Sequence, residues 1–464
     1  MLQQNDFEVP VRIASVRFEG VAHTDAQLLG VYSRRLLAAT SPFYRVVQPL
    51  AEADVTGRDR HILPFGQVAM LAHESADRLF RLGIFKHVDV ELDSQTKGEV
   101  DVVFKVQEVS RLFARTGTEL GNNEGSMNAA IKIRNALGNA ESLEANMSYG
   151  VETDSALYDA KPFTSQLGSS FQFLFTRPWN ADPDKMFTLN AFKQNKSMNL
   201  YSSYSEQITG LAAKFKTFDY FLGATHEVAY EASWRRLFDL GRNASPTIRK
   251  DAGNSLKSSV SYTAILDHRD DTMLPTRGVY VRSLLEGAGL GGDVRHLKAD
   301  TEGQISFPLG HGFSISSSLR SGILWTLGLR QSRVNDRFLL GGPSSIRGFL
   351  QNGVGPKDGV DVVGGDLFTS AGVSLFAPLP YLADKPIKFH FFGNAGNLIK
   401  LDDSRDLGAA AHKLFSSVSS SVGLGLAVRF SILRLEINYC LPITVTRTDS
   451  VKPGLQFGVG LQFS

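Results

Sequence analysis

Large apolar residues alternate with small or polar ones through much of the C-terminal part of this chain. The alternation is strict in three segments and looser in two others, namely LQFGVGLQF (455–463), VGLGLAVRF (422–430), LRLEINYCL (433–441), QLGSSFQFLFT (166–176) and GFSISSSLRSGI (312–323). Because successive side chains of a strand point to opposite faces, each segment predicts a β-strand with one apolar and one polar face. The region after Ser110 is therefore predicted to be all β.

The first hundred residues combine two periods. Apolar residues recur at every second position in three segments and at helical spacing in two, giving in chain order VRIASVRFEG (11–20), AQLLGVYSRRLLAA (26–39), FGQVAMLAHESADRLFRL (65–82), IFKHVDVELD (84–93) and GEVDVVFKVQEV (98–109). Thr24 and Gln27 form a capping box before the first helix, and Gly83 suits the C′ position that ends the second. The order predicts a compact β-α-α-β-β module over residues 11–109, after an extension of residues 1–10.

Two architectures share the alternation of the C-terminal region. A soluble sandwich or propeller buries the apolar face against another sheet, whereas a transmembrane barrel turns that face to lipid and its polar face to a lumen. Long and shorter connections alternate, which favours the barrel; the long ones are 151–164, 235–254, 341–356 and 398–415, and the shorter ones are 307–312 and 442–453. At roughly 22 residues per strand with its connection, residues 110–464 predict a barrel of about 16 antiparallel strands.

Composition narrows the class of protein further. Apolar residues make up 42% and charged residues 21% of the chain, which excludes a disordered protein. The 49 Lys and Arg nearly balance the 47 Asp and Glu, so there is no basic excess for nucleic acid. The single cysteine, Cys440, allows no intramolecular disulfide. The first residues predict neither a secretory signal nor a cleavable transit peptide, and no stretch reaches the roughly 18 apolar residues of a spanning helix.

Motifs for catalysis or cofactor binding are weak. Gly287, Gly289 and Gly292 match the dinucleotide fingerprint G-x-G-x-x-G, but the residues after them predict a strand where the fingerprint requires a helix. A glycine-rich loop is the better interpretation. The ten histidines form no H-E-x-x-H pair, and no G-x-S-x-G is present. We therefore predict a protein that is not an enzyme and that uses no metal or cofactor.

Two other segments carry charge in unusual places. In LDHRDDTMLPTRGVYV (266–281), acids and an arginine at a strand end precede a tight turn, and the residues of interest are Asp267, Arg269, Asp270, Arg277 and Gly278. A charged hairpin tip is the ordinary interpretation of such a cluster. In GGPSSIRGFLQNGVGP (341–356), Arg347 stands between Ile346 and Phe349 among turn-forming residues, which is more typical of a buried plug than of a solvated loop.

The charged hairpin D-x-R-D…P-T-R-G, the I-R-G-F loop and the amphipathic C-terminal strand together resemble the barrel-assembly superfamily of outer membranes. Its members carry β-α-α-β-β modules, called POTRA domains, ahead of a 16-stranded barrel. One module and no cleavable signal make the chain similar to the core subunits of the mitochondrial sorting and assembly machinery. The resemblance implies a transmembrane barrel at 110–464 in the mitochondrial outer membrane and a POTRA-type domain at 11–109 in the intermembrane space. The implied partners are β-barrel precursor proteins, accessory subunits of the machinery and the lipid bilayer, with a homo-oligomer left open.

The resemblance also implies that the I-R-G-F loop is a sixth loop folded into the barrel lumen. This lumen loop carries the motif residues Ile346, Arg347, Gly348 and Phe349. Its arginine fixes the loop to the barrel wall, and a guanidinium suits that role because it offers five donors in a rigid fork. A buried arginine needs a polar partner. Relatives often place an acid where this sequence has Asn394, so Asp366 and backbone carbonyls are the alternative partners.

The last strand matches the sorting signal of mitochondrial barrels, polar-x-Gly-x-x-hydrophobic-x-hydrophobic. The matching residues are Gln456, Gly458, Leu461 and Phe463. We expect the barrel seam between this strand and the first one, near 111–121, because Gly117, Gly458 and Gly460 supply no side chains for cross-strand packing. A precursor's signal strand then pairs by β-augmentation with the first strand, at Phe113, Ala114, Arg115, Thr116, Gly117, Thr118 and Glu119. The implied function is insertion of β-barrel precursors through this lateral gate, and a channel or polypeptide-secretion pore of the same superfamily is the alternative.

Overall fold

The computed structural model describes most of the chain in ten ranges, which are 8–39, 62–94, 98–121, 124–152, 166–199, 201–328, 331–380, 386–401, 406–430 and 433–460. These residues form two compact units. The first contains the described residues up to Arg115 together with Ala130–Ala145 and Phe173–Leu189. The second contains the described residues of Thr116–Ala129, Asn146–Gln172 and Asn190–Ser464. No helix in the described ranges is long and apolar enough to cross a membrane.

The N-terminal module of the first unit is a small α+β fold. Its elements are β1 (Pro10–Glu19), α1 (Ala26–Ala39), β2 (Leu63–Pro64), α2 (Phe65–Arg81), β3 (Phe85–Asp93) and β4 (Glu99–Glu108). Within the described residues the sheet order is β2-β1-β4-β3, and β1 pairs with β4 in parallel, which requires a crossover connection and explains why both helices lie between them in the chain. The predicted order of elements is confirmed, with the two-residue strand β2 as an addition that the apolar pattern was too short to predict.

The start of α1 differs from the predicted capping box. Asp25, not Thr24, caps this helix, because its Oδ1 accepts the Gln27 backbone N–H at 2.9 Å. Thr24 instead donates its hydroxyl to Glu108 at 2.7 Å, and Glu108 also accepts backbone N–H groups from the same turn. Burial raises the pKa of Glu108, but these hydrogen bonds outweigh it and leave the pKa below its ordinary value. Gly83 does follow α2 with a φ of 72°, as predicted.

Two strand connections belong to the first unit and pack on the module. Tyr32 of α1 donates its hydroxyl to the Ala181 carbonyl at 2.7 Å, and burial raises the pKa of this phenol. Asn135 donates to the Thr24 hydroxyl at 3.0 Å, and the Asp25 N–H donates to the Gly138 carbonyl at 2.8 Å. The start of α1 is therefore bonded both to β4 of its own sheet and to the connection that carries Asn135 and Gly138.

Sixteen further strands of the described chain form one antiparallel sheet, and strands adjacent in this set are adjacent in the sheet. In chain order they are β5 (Leu112–Gly121), β6 (Glu124–Arg134), β7 (Ser142–Glu152), β8 (Gln166–Trp179), β9 (Asp182–Ser197), β10 (Ser205–Asp219), β11 (Ala224–Phe238), β12 (Gly253–Asp267), β13 (Gly278–Gly292), β14 (His296–Gly310), β15 (Phe313–Thr326), β18 (Leu367–Pro378), β19 (Ile387–Ile399), β20 (Ser419–Phe430), β21 (Leu433–Thr444) and β22 (Gly454–Gly460). β16 (Lys357–Asp358) and β17 (Asp361–Val362) form a separate small hairpin, and the connections carry α3 (Pro246–Asp251) and α4 (Leu407–Ser416).

The two faces of this sheet differ as the alternation predicts. On β21, the side chains of Ile437 and Tyr439 are exposed, whereas those of Glu436, Asn438 and Cys440 are buried. The same holds on β22, and in each case the apolar face is the outer one. Apolar side chains therefore cover the outside of the sheet, and the polar face receives the long connections described below.

Several predicted connections have different bounds in the structure. Pro442 and Ile443 continue β21, and the connection that follows, 445–453, lies at the end of the sheet that carries the long connections rather than the short turns. Gly287, Gly289 and Gly292 lie within β13, so the predicted glycine-rich loop is part of a strand, and only 293–295 separate it from β14.

Candidate functional site

The predicted lumen loop connects β15 to β18 and lies on the polar face of the sheet. We use this name for residues 327–366, of which 329 and 330 lie outside the described residues. Its motif is fully buried: Ile346 and Phe349 are 0% exposed, and Arg347 is 1% exposed. Burial this complete is rare for an arginine and requires charged or strongly polar partners.

Glu436 of β21 is the partner of Arg347. Nε of the guanidinium lies 2.9 Å from Oε2, and Nη2 lies 3.2 Å from Oε1, which is a bidentate pair. The same carboxylate forms an ion pair with Arg434 and accepts the Asn438 amide at 2.7 Å. Glu436 is 1% exposed, so two guanidiniums and an amide together compensate one buried carboxylate.

Glu436 is neither of the partners predicted from the sequence. Asp366 lies elsewhere, where its Oδ2 accepts the Leu401 N–H at 3.1 Å. Asn394 is a neutral neighbour of the arginine. With its amide oriented so that the oxygen faces Arg347, that oxygen accepts the backbone N–H and Nη1 of Arg347, each at 3.1 Å. The signal for Glu436 was present in LRLEINYCL, where the glutamate falls on the polar face of a strand that is otherwise apolar.

Backbone groups of the motif bind side chains of the last strands. The Gly348 N–H donates to Gln456 Oε1 at 3.0 Å, and Gln456 Nε2 donates to the Phe349 carbonyl at 2.9 Å. The Ser421 hydroxyl donates to the Arg347 carbonyl. Gly348 has a φ of 83°, and an added Cβ would lie 3.1 Å from that of Ser421, so only glycine suits this position. We call the Gln456 contacts with the motif backbone the latch.

The lumen loop also pairs with the connection between β21 and β22. Phe349 and Val451 form an antiparallel bridge, the Leu350 N–H donates to the Ser450 carbonyl at 2.9 Å, and the Lys452 N–H donates to the Gly348 carbonyl at 2.8 Å. The motif is therefore bonded to β22 by its latch and to the residues that precede β22 by main-chain pairing.

Aromatic rings surround the ion pair. The Arg347 Cζ lies 5.0 Å from the ring centroid of Phe392, and the His390 ring stacks on Phe376 at 4.8 Å. Small residues on β20 leave room for this cluster, because a Cβ on Gly423 would meet the Phe392 ring and one on Gly425 would meet Asn438. The small residues in VGLGLAVRF therefore make space for the site.

The first half of the lumen loop is held by an ion pair with the charges reversed, in which the loop supplies the acid and a strand supplies the arginine. Asp336 of the loop and Arg235 of β11 form a bidentate pair with distances of 2.6 and 3.1 Å, and Lys298 Nζ donates to the Asp336 carbonyl at 2.8 Å. Further along, Asp361 accepts the backbone N–H groups of Ser203 and Ser245, each at 2.7 Å. The sequence did not indicate these anchors, because Arg235 was assigned to a long connection, whereas it belongs to β11.

The charged hairpin forms the connection between β12 and β13, at the end of the sheet that carries the short turns. Arg269 Nε lies 2.9 Å from Asp267 Oδ1. Asp270 accepts the N–H groups of Thr276 and Arg277 at 2.9 and 3.1 Å; burial raises its pKa, but these bonds and the Thr276 hydroxyl bring the pKa below the ordinary value. Gly278 opens β13 with a φ of 118°. The cluster is a charged hairpin, as the ordinary interpretation predicts, and Leu274 within it is buried.

The predicted seam strands lie at the two ends of the sheet. β5 contains all seven residues that the sequence analysis assigned to precursor docking, and β22 contains Gln456, Gly458 and Gly460. Leu461 and Phe463 lie outside the described residues. Within the described chain, no strand follows β22 or precedes β5 in the order of the sheet. Among the same residues, no group of three or more His, Cys, Asp or Glu side chains is arranged to hold a metal ion.

Comparison with known proteins identifies relatives of both parts of the chain. A family model described as the Omp85 superfamily domain matches residues 135–463. The sorting and assembly machinery component 50 homolog of Bos taurus is 37% identical over 411 residues, which cover 86% of this chain and 83% of the relative. A SAM50-like protein of Schizosaccharomyces pombe is 34% identical over 466 residues, covering 98% and 91%.

A solved structure supports the fold. BamA from Haemophilus ducreyi lacking POTRA domains 1–3 superposes with a TM-score of 0.75 at 18% identity, covering 96% of this chain and 84% of that one. The sixteen-stranded sheet is thus a β-barrel whose polar face lines the lumen, preceded by a small α+β domain of the POTRA type. The predicted fold class is confirmed, and the soluble sandwich or propeller is wrong.

Proposed function

The chain belongs to the Omp85 superfamily and, within it, to the family of sorting and assembly machinery component 50 homologues, and we propose from this membership that it assembles β-barrel proteins in the mitochondrial outer membrane. The observation that carries the proposal is the extent of the identity, which includes the POTRA-type module as well as the barrel. The exposed apolar face of the strands is the surface that contacts lipid in this proposal, because a transmembrane barrel turns its apolar face outward and its polar face to the lumen.

The proposed mechanism uses the two strands that end the sheet. A precursor's signal strand pairs with β5 when the seam between β5 and β22 opens, and main-chain hydrogen bonds supply the binding. Two observations support this assignment: β5 and β22 end the order of the sheet, and Gly117 and Gly458 contribute no side chains to cross-strand packing. Insertion needs no covalent chemistry, since burial of apolar side chains and completion of hydrogen bonds provide the driving force.

The POTRA-type module faces the intermembrane space in this proposal, and accessory subunits of the machinery and incoming precursors are the partners. A channel for small solutes is the weaker candidate. The lumen loop packs its buried motif against several strands of the wall, which a simple pore does not need.

Disulfide crosslinking tests the mechanism. With Cys440 replaced by serine, a cysteine is placed at Thr116 of β5 and another in the signal strand of an arrested precursor. We expect crosslinks that depend on register and that disappear when the glycine or the hydrophobic residues of the signal are changed. A second cysteine placed in β22 of the same chain provides the competing partner. If the Thr116 cysteine joins only that one in every condition, the barrel is permanently closed and the lateral gate is wrong.

A second test addresses the lumen loop. Arg347→Ala removes one of the two guanidiniums that bind Glu436, and we expect a folded barrel with poor assembly activity. Arg347→Lys keeps the charge but not the bidentate geometry, so activity should recover only in part. Wild-type activity in Arg347→Ala would remove the lumen loop from the mechanism.

A further inference from the structure

The connection between β12 and β13 reaches across the barrel lumen. We call residues 268–277 the inner turn. Leu274 at its apex is buried and packs against Phe376 of β18 and Ala427 of β20. Four strands, β14, β15, β18 and β19, separate β13 from β20 in the sheet. At roughly 4.8 Å per strand spacing, the turn therefore contacts a part of the barrel wall that is about 24 Å from β13 along the sheet. A turn that only joined two neighbouring strands would not make such a contact.

Polar contacts attach the inner turn to the same distant strands. Asp271 forms an ion pair with Arg429 of β20, and it also accepts the Met273 N–H at 2.7 Å, which shapes the apex. Arg434 of β21 donates Nη1 to the Met273 carbonyl at 3.2 Å. Arg434 is also the second guanidinium on Glu436, the carboxylate that binds Arg347.

These contacts form one continuous path between two connections that enter the lumen from opposite ends of the barrel. The lumen loop enters at the end of the long connections, and its tip reaches Glu436, only three residues from the first residue of β21. The inner turn enters at the other end. The path runs from the Met273 carbonyl through Arg434 and Glu436 to Arg347.

We propose that the inner turn is a positioning element for the lumen loop: by fixing Arg434 it keeps the Glu436 carboxylate oriented toward Arg347, so that the latch on β22 depends on a turn at the opposite end of the barrel. The physical reason is that a buried carboxylate between two guanidiniums has an orientation set by both of them. A guanidinium that loses its carbonyl partner turns toward the carboxylate or the lumen and changes that orientation. The proposal goes beyond the proposed function and does not rest on it.

The single cysteine of the chain provides a native reporter of loop position. Cys440 of β21 is 0% exposed, and its Sγ lies 3.5 Å from Gln456 Oε1. The motif lies over it, since a Cβ added to Gly348 would be 3.5 Å from the Cys440 Cβ. Alkylation of this thiol therefore measures how often the motif leaves its position.

The experiment measures the rate of maleimide labelling of Cys440 in the purified full-length protein in detergent. Asp271→Asn and Leu274→Ala loosen the inner turn without altering Arg434, Glu436 or Arg347. We expect labelling about tenfold faster than in the wild type for Leu274→Ala, equivalent to about 1.4 kcal/mol easier opening, and about threefold faster for Asp271→Asn, because the Asp271–Arg429 pair is partly exposed. Arg347→Ala serves as the reference for a released loop and should label at least as fast.

Matched controls come from the turn between β10 and β11. Asp219 accepts the Phe221 N–H at 2.9 Å, the same local bond that Asp271 makes with Met273, and Leu222 of that turn is exposed. Asp219→Asn and Leu222→Ala should label at the wild-type rate. The exchange Asp271→Arg with Arg429→Asp restores the ion pair but not the bond from the Met273 N–H, so labelling should be slower than in Asp271→Arg alone, which a general loss of stability would not explain.

Two results would overturn the proposal. One is wild-type labelling in both inner-turn variants while Arg347→Ala labels faster, because the loop would then be independent of the turn. The other is wild-type labelling in Arg347→Ala itself, because the ion pair would then not hold the motif over Cys440. Heat-modifiable mobility on gels shows which variants form a folded barrel. If Leu274→Ala does not fold, the test is decided by Asp271→Asn, because that variant alters only a partly exposed ion pair.

Discussion

The POTRA-type module and the lumen loop are stabilised in different ways. The module has an apolar core to which both helices and the sheet contribute, including Ile13, Tyr32, Leu79 and Phe104, and its ion pairs lie at the surface. The lumen loop has a smaller apolar cluster and two buried bidentate pairs, Arg347 with Glu436 and Asp336 with Arg235. Apolar contacts are non-directional, whereas a bidentate ion pair fixes one geometry. Apolar packing therefore accounts for the stability of the module, whereas the ion pairs fix the position of the lumen loop.

The largest expected effect is on the loop side of this comparison. Glu436→Ala leaves the guanidiniums of Arg347 and Arg434 buried without their carboxylate, and we expect the loop-bound state to lose about 3–5 kcal/mol. Hydrogen exchange at the Gly348 and Leu350 amides measures this. As a control, Glu227→Ala removes a half-exposed pair with Lys214 and should change the same amides by less than about 1 kcal/mol. Equal protection of these amides in Glu436→Ala and Glu227→Ala would contradict the view that the buried ion pair positions the loop.

The next effect is on the module side. Leu79 is fully buried in the module core, so Leu79→Ala should lower the free energy of unfolding of the module by about 2–5 kcal/mol. Hydrogen exchange of α2 and β4 amides in the full-length protein measures it. The labelling rate of Cys440 should stay at the wild-type value in this variant. Faster labelling would mean that the position of the lumen loop depends on the apolar core of the module.

A smaller effect is expected from the latch. Gln456→Ala removes two hydrogen bonds to the Gly348 and Phe349 backbone, and at about 0.5–1.5 kcal/mol each the loop should lose about 1–3 kcal/mol. Gln207→Ala is the matched control, because the Gln207 amide bonds Asn195 at 2.9 Å on a wall distant from the motif. Hydrogen exchange at Leu350 distinguishes the variants, and an unchanged rate in Gln456→Ala would show that the ion pair and the main-chain pairing hold the motif without the latch.

The smallest effect concerns pH and the module. Glu108 has a folded-state pKa below its ordinary value of 4.5, so it contributes stability that is present above that value and is lost as the pH falls through the lower folded-state pKa. Glu108→Gln should flatten this dependence on the acid side of pH 4.5 and change little at neutral pH beyond the loss of charge-assisted bonds. Thermal unfolding of the module across that range provides the measurement, and an unchanged acid dependence would assign it to other carboxylates.

The elements of this fold could be predicted because their patterns are local. Period-two alternation identified the C-terminal region as β, its length at roughly 22 residues per strand gave the number of strands, and the order of the module followed from segments of ten to twenty residues. The site could be predicted only in part. Arg347 was identifiable as a charge within a turn-forming stretch, but its partner Glu436 lies 89 residues away in the chain, and no local pattern links the two. The alternation placed Glu436 on the polar face, which reduces the number of candidate partners for Arg347 but does not identify one.

Other differences have equally specific causes. Thr24 and Asp25 are both competent capping residues, and the choice between them depends on Glu108, which is distant in sequence and occupies the Thr24 hydroxyl. The inner turn was interpreted as a charged hairpin tip, and a charged cluster gives no sign that Leu274 will pack against β18 and β20. Tertiary contacts decided each of these cases.

The latch has a consequence for the register of the last strand. Side chains alternate between the two faces of a strand, so a slip of β22 by one residue would move Gln456 from the lumen to the outside and replace it by a neighbour that cannot bond Gly348 and Phe349. Gly458 and Gly460 lack the side chains that elsewhere select one cross-strand alignment. The alignment of β22 with β21, in which Gln456 lies opposite Asn438, is therefore specified by a loop inside the barrel in addition to the alternation of exposed Leu455 and Phe457 with buried Gln456.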